Sequence, residues 1–316
     1  MNSTTMILLD PIFKDMIWGG EKLRMVFHYP VTGKAVGESW GIAANEDGDC
    51  KIVKGPFKDK TLSWFYENHR AFFGNVENEK FPLLVKIIDA RQDLSIQVHP
   101  DDNYAKEHEK GSYGKMECWY ILDCEEESKL VVGHNAKTKS ELCTMIEGGK
   151  WDQLIREIPV KKGDFIQIAP GTMHAIKGGI LLLETQQNSN ITYRVYDYGR
   201  LENNKPRQLH IKESLDVIQI PALPAEETVI SVQNKNPNQW TELITCEYYR
   251  VFRMQVEGKA QFVQNHPFLC VTVTEGSGMI NGEIIEKGTN LILSANAGNV
   301  VLEGDMELIA STANQG

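Results

Sequence analysis

Three short segments carry residues whose types and spacing could do chemistry. In Leu94-Ser95-Ile96-Gln97-Val98-His99-Pro100, side chains of an extended chain alternate between faces. Ser95, Gln97 and His99 therefore share one face, and Leu94, Ile96 and Val98 fill the other. In Gly114-Lys115-Met116-Glu117-Cys118-Trp119-Tyr120-Ile121-Leu122, the same period groups Lys115, Glu117 and Trp119, with Met116, Cys118 and Tyr120 behind. In the third segment a turn at Gly163 leads into Phe165 to Ile168, then a Pro170-Gly171 turn, then His174. His99, Glu117 and His174 make a two-histidine, one-carboxylate set spread over three β segments. Such ligands suit Zn²⁺ and other first-row ions, and three protein ligands with an open position are what a catalytic metal needs. Gln97 offers a neutral fourth oxygen. Each segment alone has a plainer reading: a solvated strand face, a surface Lys–Glu pair worth little, a structural histidine after a turn. A carboxylate placed between a cation and a large aromatic, if buried, needs the lysine, a metal or water.

The elements that must position these residues read mostly as short strands. Leu83 to Ile88, Leu94 to Val98, Cys118 to Leu122, Phe165 to Ile168 and Ile180 to Glu184 are brief apolar runs bounded by Gly, Pro, Asp and Asn. Helices are predicted over Thr61 to Phe73, stopped by Gly74, and over Asp101 to Lys110, which opens with two acids. A third is predicted over Thr138 to Ile158, broken in two at Gly148-Gly149. Residues 219–239 hold three of the 12 prolines and read as a connection between two domains. Beyond them the pattern is plain β, with Gly276-Ser277-Gly278 as a tight turn. Lys162 to Ala169 weakly resembles Lys287 to Ser294, and extending that repeat sets Asn299 opposite His174.

The chain has 316 residues, 41% of them apolar, which excludes a disordered or disulfide-stapled protein. Its 33 Lys and Arg against 43 Asp and Glu give a formal charge of −10 with no basic stripe. No nucleic-acid or membrane partner is therefore expected, and a bound anion must be held by a few placed cations. No apolar run is long enough to span a bilayer, and Ile7-Leu8-Leu9 is too short for a secretory signal. Six cysteines without a C-x-x-C fit buried reduced thiols and a cytoplasmic protein. His108 and His134 read as surface histidines.

Gly163, Gly171 and His174 have the spacing of the second cupin motif, G-x5-P-x-G-x2-H, with Pro170 one position past the usual proline. Gln97-Val98-His99 stands where the first motif has H-x-H. Four segments resemble signatures of the type I mannose-6-phosphate isomerases, in their short bacterial form: residues 82–87, 95–102, 114–120 and 184–198. The resemblance runs from Trp18 to about Asp216.

It implies a mainly β fold of two cupin-type (jelly-roll) barrels with small helical insertions. Residues 1–225 would be the catalytic, metal-binding domain and 226–316 a degenerate copy without metal. It implies one zinc per chain on His99, Glu117 and His174, with Gln97 as an additional ligand. The substrate would be a phosphorylated hexose, mannose 6-phosphate interconverting with fructose 6-phosphate through an enediolate. Arg194 matches the family's active-site arginine. Lys86 and Lys115 match two pocket lysines, Ser95 a residue near the phosphate, and Gln97 lies among the substrate-binding residues. Arg194 with Lys86 would anchor the phosphate. Lys115 is the first choice of base, because a neighbouring cation lowers a lysine pKa; phosphate or hydroxyl binding is its plainer role. Asn190 stands where some long-form enzymes carry Asp. Trp18, Glu38 and Trp40 match positions near the pocket, with packing as the tryptophans' plainer role. A noncatalytic two-cupin sugar-phosphate sensor and an iron-dependent cupin oxygenase are the competing readings. Either a monomer or a homodimer fits.

Overall fold

The structure, a computed structural model, describes residues 4–33, 35–230 and 236–314. It is mainly β. Two sheets form the first barrel. One runs Val229–Ile230, Phe165–Ile168, Glu117–Asp123, Ile180–Gln187, Leu83–Ala90, Ile12–Gly20, Val36–Ile42. The other runs Ile155–Pro159, Lys129–His134, His174–Ile176, Ile96–Val98, Tyr193–Tyr196. Their inward apolar side chains meet in one buried cluster that includes Ile88, Trp119, Ile121, Ile166 and Leu182 from the first sheet, with Leu130, Val132 and Ile176 from the second. The strands of both sheets pair antiparallel, as a jelly roll requires.

The second barrel is a nine-stranded sheet built around Gly298–Ala313 and Phe268–Ile280, with its own apolar interior. Three short strands cross the 225/226 division. Met6–Asp10 pairs with Asn290–Ser294 and with Lys51–Ile52 in the second sheet, and Val229–Ile230 pairs with Phe165–Ile168 in the first. Of the expected connection at 219–239, residues 231–235 lie outside the described residues. The barrels share a third apolar cluster, in which Leu83, Val85, Ile87, Cys118 and Tyr120 meet Phe268, Cys270 and Ile292. A buried polar contact accompanies it: Arg253 Nε donates to the Tyr120 hydroxyl and to Glu307 at 2.9 and 2.8 Å. Alternation along Glu117–Asp123 thus has a purpose on each side. Cys118 and Tyr120 pack outward on the second barrel, while Glu117 and Trp119 face inward.

Helices Leu62–Asn68 and Asp102–His108 form where expected, capped by the side chains of Thr61 and Asp101. The third differs. After Lys139–Glu147 and Trp151–Leu154, the chain becomes a strand, Ile155–Pro159, paired with Lys129–His134. Leu154-Ile155 suits either period, and cross-strand pairing such as Leu130 with Ile158 decides it. Gly276-Ser277-Gly278 is also not a turn: it lies inside Phe268–Ile280, and the turn is Asn281-Gly282 before Glu283–Glu286. A Cβ on Gly276 would lie 2.1 Å from the Asp305 carbonyl oxygen, and its φ is +74°. Here glycine permits close approach of backbones rather than a reversal. Gly276→Ala is therefore expected to destabilise the second barrel by about 2 kcal/mol or more. Urea unfolding followed by circular dichroism checks this; an unchanged midpoint contradicts it. His134 is buried rather than at the surface, its Nε2 3.0 Å from the Gln219 carbonyl oxygen. His108 is half exposed. In the weak repeat, Asn299 pairs with the exposed Gln261 side chain and meets no ligand set.

Candidate metal centre and active site

His174, Gln97 and Arg194 lie side by side on three adjacent strands, since His174 and Arg194 both register against Gln97. The opposite sheet sets Trp119, Glu184, Lys86 and Trp40 in a similar row across four strands, with Glu117 two residues along from Trp119. The Pro170-Gly171 turn delivers His174. Gly171 has φ +81°, its N–H donates to the His99 carbonyl at 2.9 Å, and a Cβ there would press on Val217 O at 2.8 Å. That turn ties the third segment to the first.

His99, Glu117 and His174 converge, with one potential ligand atom from each within 4.8 Å of the others, and all three are buried. His174 Nε2 is 3.2 Å from Glu117 Oε1, and His99 Nε2 is 3.4 Å from Oε2. Both imidazoles are oriented from behind. His99 Nδ1 lies 2.8 Å from Ile191 O, and His174 Nδ1 lies 2.8 Å from Thr172 O. A carbonyl only accepts, so each Nδ1 carries the proton and each Nε2 presents a lone pair to the centre. Burial and the neighbouring Lys115 push the His99 pKa down to about 3, so its ring is neutral.

Neither buried oxygen of Glu117 makes a well-angled hydrogen bond. Lys115 Nζ sits 2.8 Å from Oε2 and 3.1 Å from His99 Nε2. Burial pushes Glu117 up, yet the neighbouring Lys115 outweighs it, and the Glu117 pKa lies well below its usual range. An ionised carboxylate without hydrogen bonds, facing two imidazole lone pairs, is a donor set that fits a divalent cation. Gln97 Nε2 is 3.3 Å from His174 Nε2, at the edge of the set.

Beside the centre opens a cavity of about 260 Å³, to which Ser95, Gln97, Lys86, Lys115 and Arg194 all contribute. Every site residue predicted from the sequence therefore lies at the metal centre or on this cavity. Ser95 Oγ is 3.4 Å from Gln97 Oε1. Lys86 is held between two carboxylates, 2.9 Å from Glu184 and 3.8 Å from Glu38. Burial opposes its charge, but Glu184 and Glu38 prevail and raise its pKa. Arg194 makes no side-chain hydrogen bond among the described residues, and its Nε is buried. Burial and the nearby Arg207 lower its pKa. Asn190 is exposed and bonds Asp47 at 2.6 Å.

Trp18, Glu38 and Trp40 line the cavity, and Trp40 Nε1 donates to Glu38 at 2.6 Å. Glu184, which also accepts from Trp119 Nε1 at 2.9 Å, is visible in the sequence only as the charged end of the run Ile180 to Leu183. A charge closing a fully buried strand is the available signal. Lys14 and Arg207 also reach the cavity, and no local pattern announces them.

Two antiparallel barrels, one bearing at the mouth of a cationic cavity a buried two-histidine, one-carboxylate set that could hold a metal ion, define a cupin-type protein. The family model "Phosphomannose isomerase type I, catalytic domain" matches residues 6–121, and "Mannose-6-phosphate isomerase, cupin domain" matches residues 239–313. The chain is 46% identical over 314 residues to mannose-6-phosphate isomerase ManA of Bacillus subtilis, covering 98% of this chain and 99% of that protein. It is 42% identical over 306 residues to mannose-6-phosphate isomerase of Streptococcus mutans, covering 95% of each. A crystal structure of mannose 6-phosphate isomerase from Bacillus subtilis superposes with a TM-score of 0.93 at 42% identity, covering 98% of this chain and 99% of that one. A variant of phosphomannose isomerase from Salmonella typhimurium, 13% identical, shares the fold with a TM-score of 0.81, covering 99% of this chain and 100% of that one. The chain belongs to the type I phosphomannose isomerase family.

Proposed function

We propose that this chain is a mannose-6-phosphate isomerase, interconverting D-mannose 6-phosphate and D-fructose 6-phosphate with one zinc ion per chain. Near-full-length likeness to enzymes of that name supports the reaction. The observation that carries the metal is the ionised Glu117, which lies against Lys115 without a well-angled hydrogen bond and faces two imidazole lone pairs. His99, Glu117 and His174 would hold zinc, with Gln97 as the additional ligand. When bound, the ion acts as a Lewis acid toward sugar oxygens that gain negative charge as the aldose becomes a ketose, a contribution of several kcal/mol.

The protein's own groups divide the rest. Moving hydrogen between C1 and C2 through an enediolate needs a group that takes a proton from one carbon and returns it to the other. Lys115, at the junction of metal centre and cavity, is the residue proposed for it. Lys86 is already balanced by Glu184 and Glu38, so its role is a hydrogen bond to a sugar oxygen rather than charge for the phosphate. Arg194, half-buried and with no side-chain hydrogen bond among the described residues, offers its charge to the phosphate, with Ser95 nearby as a hydroxyl donor. Anchoring that remote group fixes C1 and C2 at the metal. The location proposed is the cytoplasm, where six cysteines without a C-x-x-C would stay reduced.

A coupled assay reporting fructose 6-phosphate from mannose 6-phosphate tests the reaction. Turnover with zinc and without oxygen is expected; no turnover favours a sensor, and a strict need for iron and oxygen favours an oxygenase. Arg194→Ala is expected to cut kcat/KM by roughly 10- to 100-fold, from loss of charge-assisted hydrogen bonds, with zinc content unchanged. An unaltered rate removes Arg194 from the site.

A further inference from the structure

The wall of the cavity opposite the carboxylates carries more positive charge than the protein itself neutralises. Arg194 and Arg207 both line it. Behind them Asp197 is almost wholly buried and accepts from Arg207 Nε and Nη2 at 2.8 and 2.6 Å, and from Arg200 Nη2 at 2.5 Å. Arg200 also donates to the Asp93 carbonyl, which fixes it away from the cavity. Arg200 and Arg207 thus share one buried carboxylate, which also acts on Arg194, as does the exposed Glu202. Arg194 and Arg207 against Asp197 leave an excess of about one positive charge at the cavity, an attraction for an anion such as a phosphate monoester. Partly buried guanidinium groups side by side repel each other and lose hydration, a cost that an anion between them removes. Asp197 grips one edge of Arg207 in a bidentate pair, and among the described residues the Arg207 side chain makes no other hydrogen bond. Its Nη1 remains for a ligand.

We propose that Arg207 is a second phosphate-binding residue, closing a two-arginine clamp with Arg194, and that Asp197 is the positioning residue that aims it. Arg207 follows the hairpin of Leu201–Glu202 and Lys205–Pro206, so this hairpin delivers half of the phosphate site. The inference rests on the isomerase reading above and adds a residue and a route of delivery to it. It also separates the cavity's two halves by charge. The phosphate belongs between the arginines, and the reacting carbons belong beside Lys86, Lys115 and the metal centre.

The test compares wild type with Arg207→Met, Arg207→Lys and Asp197→Asn. The readouts are kcat and KM for mannose 6-phosphate, competitive inhibition by inorganic phosphate, and the rise in melting temperature that inorganic phosphate produces. Arg207→Met is expected to raise both KM and the phosphate inhibition constant by roughly 10- to 100-fold, to abolish the phosphate-induced rise, and to keep wild-type zinc content. Arg207→Lys restores part of the phosphate affinity, because charge returns without the fork. Asp197→Asn raises KM more than it lowers kcat, a split that general loosening of the fold does not give. Active wild type with Arg207→Met unchanged in KM and in phosphate inhibition overturns the clamp alone. Inactive wild type that still gains stability from phosphate through Arg207 overturns the isomerase reading and leaves the clamp standing.

Discussion

His174→Ala is expected to empty the metal centre and lower turnover by about 10³-fold, taking several kcal/mol of charge stabilisation at about 1.4 kcal/mol per tenfold. The reasoning starts from the donor set. His174 and His99 each present Nε2 because a backbone carbonyl, Thr172 O or Ile191 O, takes the Nδ1 proton. Removing one imidazole leaves a single ring and Glu117, too few protein ligands for a tight zinc site. Lys115 already stands against Glu117 at 2.8 Å, so the carboxylate in the variant is not left as an unpaired buried charge and the fold survives. Metal analysis and circular dichroism on the same sample check both halves. Full zinc with normal turnover sinks the ligand assignment, whereas a collapsed spectrum transfers the test to the milder His174→Gln.

Lys115→Met carries the second largest expected effect, and here metal and activity part company. Methionine fills most of the lysine's volume but can neither accept nor donate the proton. General acid–base groups contribute typically 10²- to 10⁴-fold, so kcat falls by about that factor. Zinc stays, since Lys115 is not in the donor set and its removal takes away a cation that competes for Glu117. If the variant turns over within a few-fold of wild type, Lys115 is a binding group and the proton moves through another residue of the cavity. Glu184 and Glu38 are the carboxylates placed to be tested next.

Much of this site is legible in the sequence because it is built on strands. Period-two alternation alone puts Ser95, Gln97 and His99 on one face and sends Cys118 to the opposite side from Glu117, and the barrel keeps both arrangements. Turn chemistry at Pro170-Gly171 does the same for His174. What local patterns cannot carry is partnership across strands and sheets. The resemblance makes Lys86 a phosphate anchor, yet pairing of Leu83–Ala90 with Ile180–Gln187 sets it against Glu184. Arg207 lies in a polar stretch with no periodicity, and only the fold of its hairpin brings it beside Arg194. The expected helix over Thr138 to Ile158 gives way at Ile155–Pro159 to a strand, because Lys129–His134 pairs with it. Gly276 and Gly278 resemble a turn because glycine also serves where two backbones nearly touch.

The central claim is that His99, Glu117 and His174 meet around a divalent ion that the isomerase reaction requires. Metal analysis of the purified protein, run with the coupled fructose 6-phosphate assay before and after chelation and again after adding zinc, tests it most directly. The account predicts zinc near one equivalent, loss of turnover as the ion leaves, and recovery as it returns. Metal-free protein that isomerises mannose 6-phosphate at the undiminished rate contradicts it.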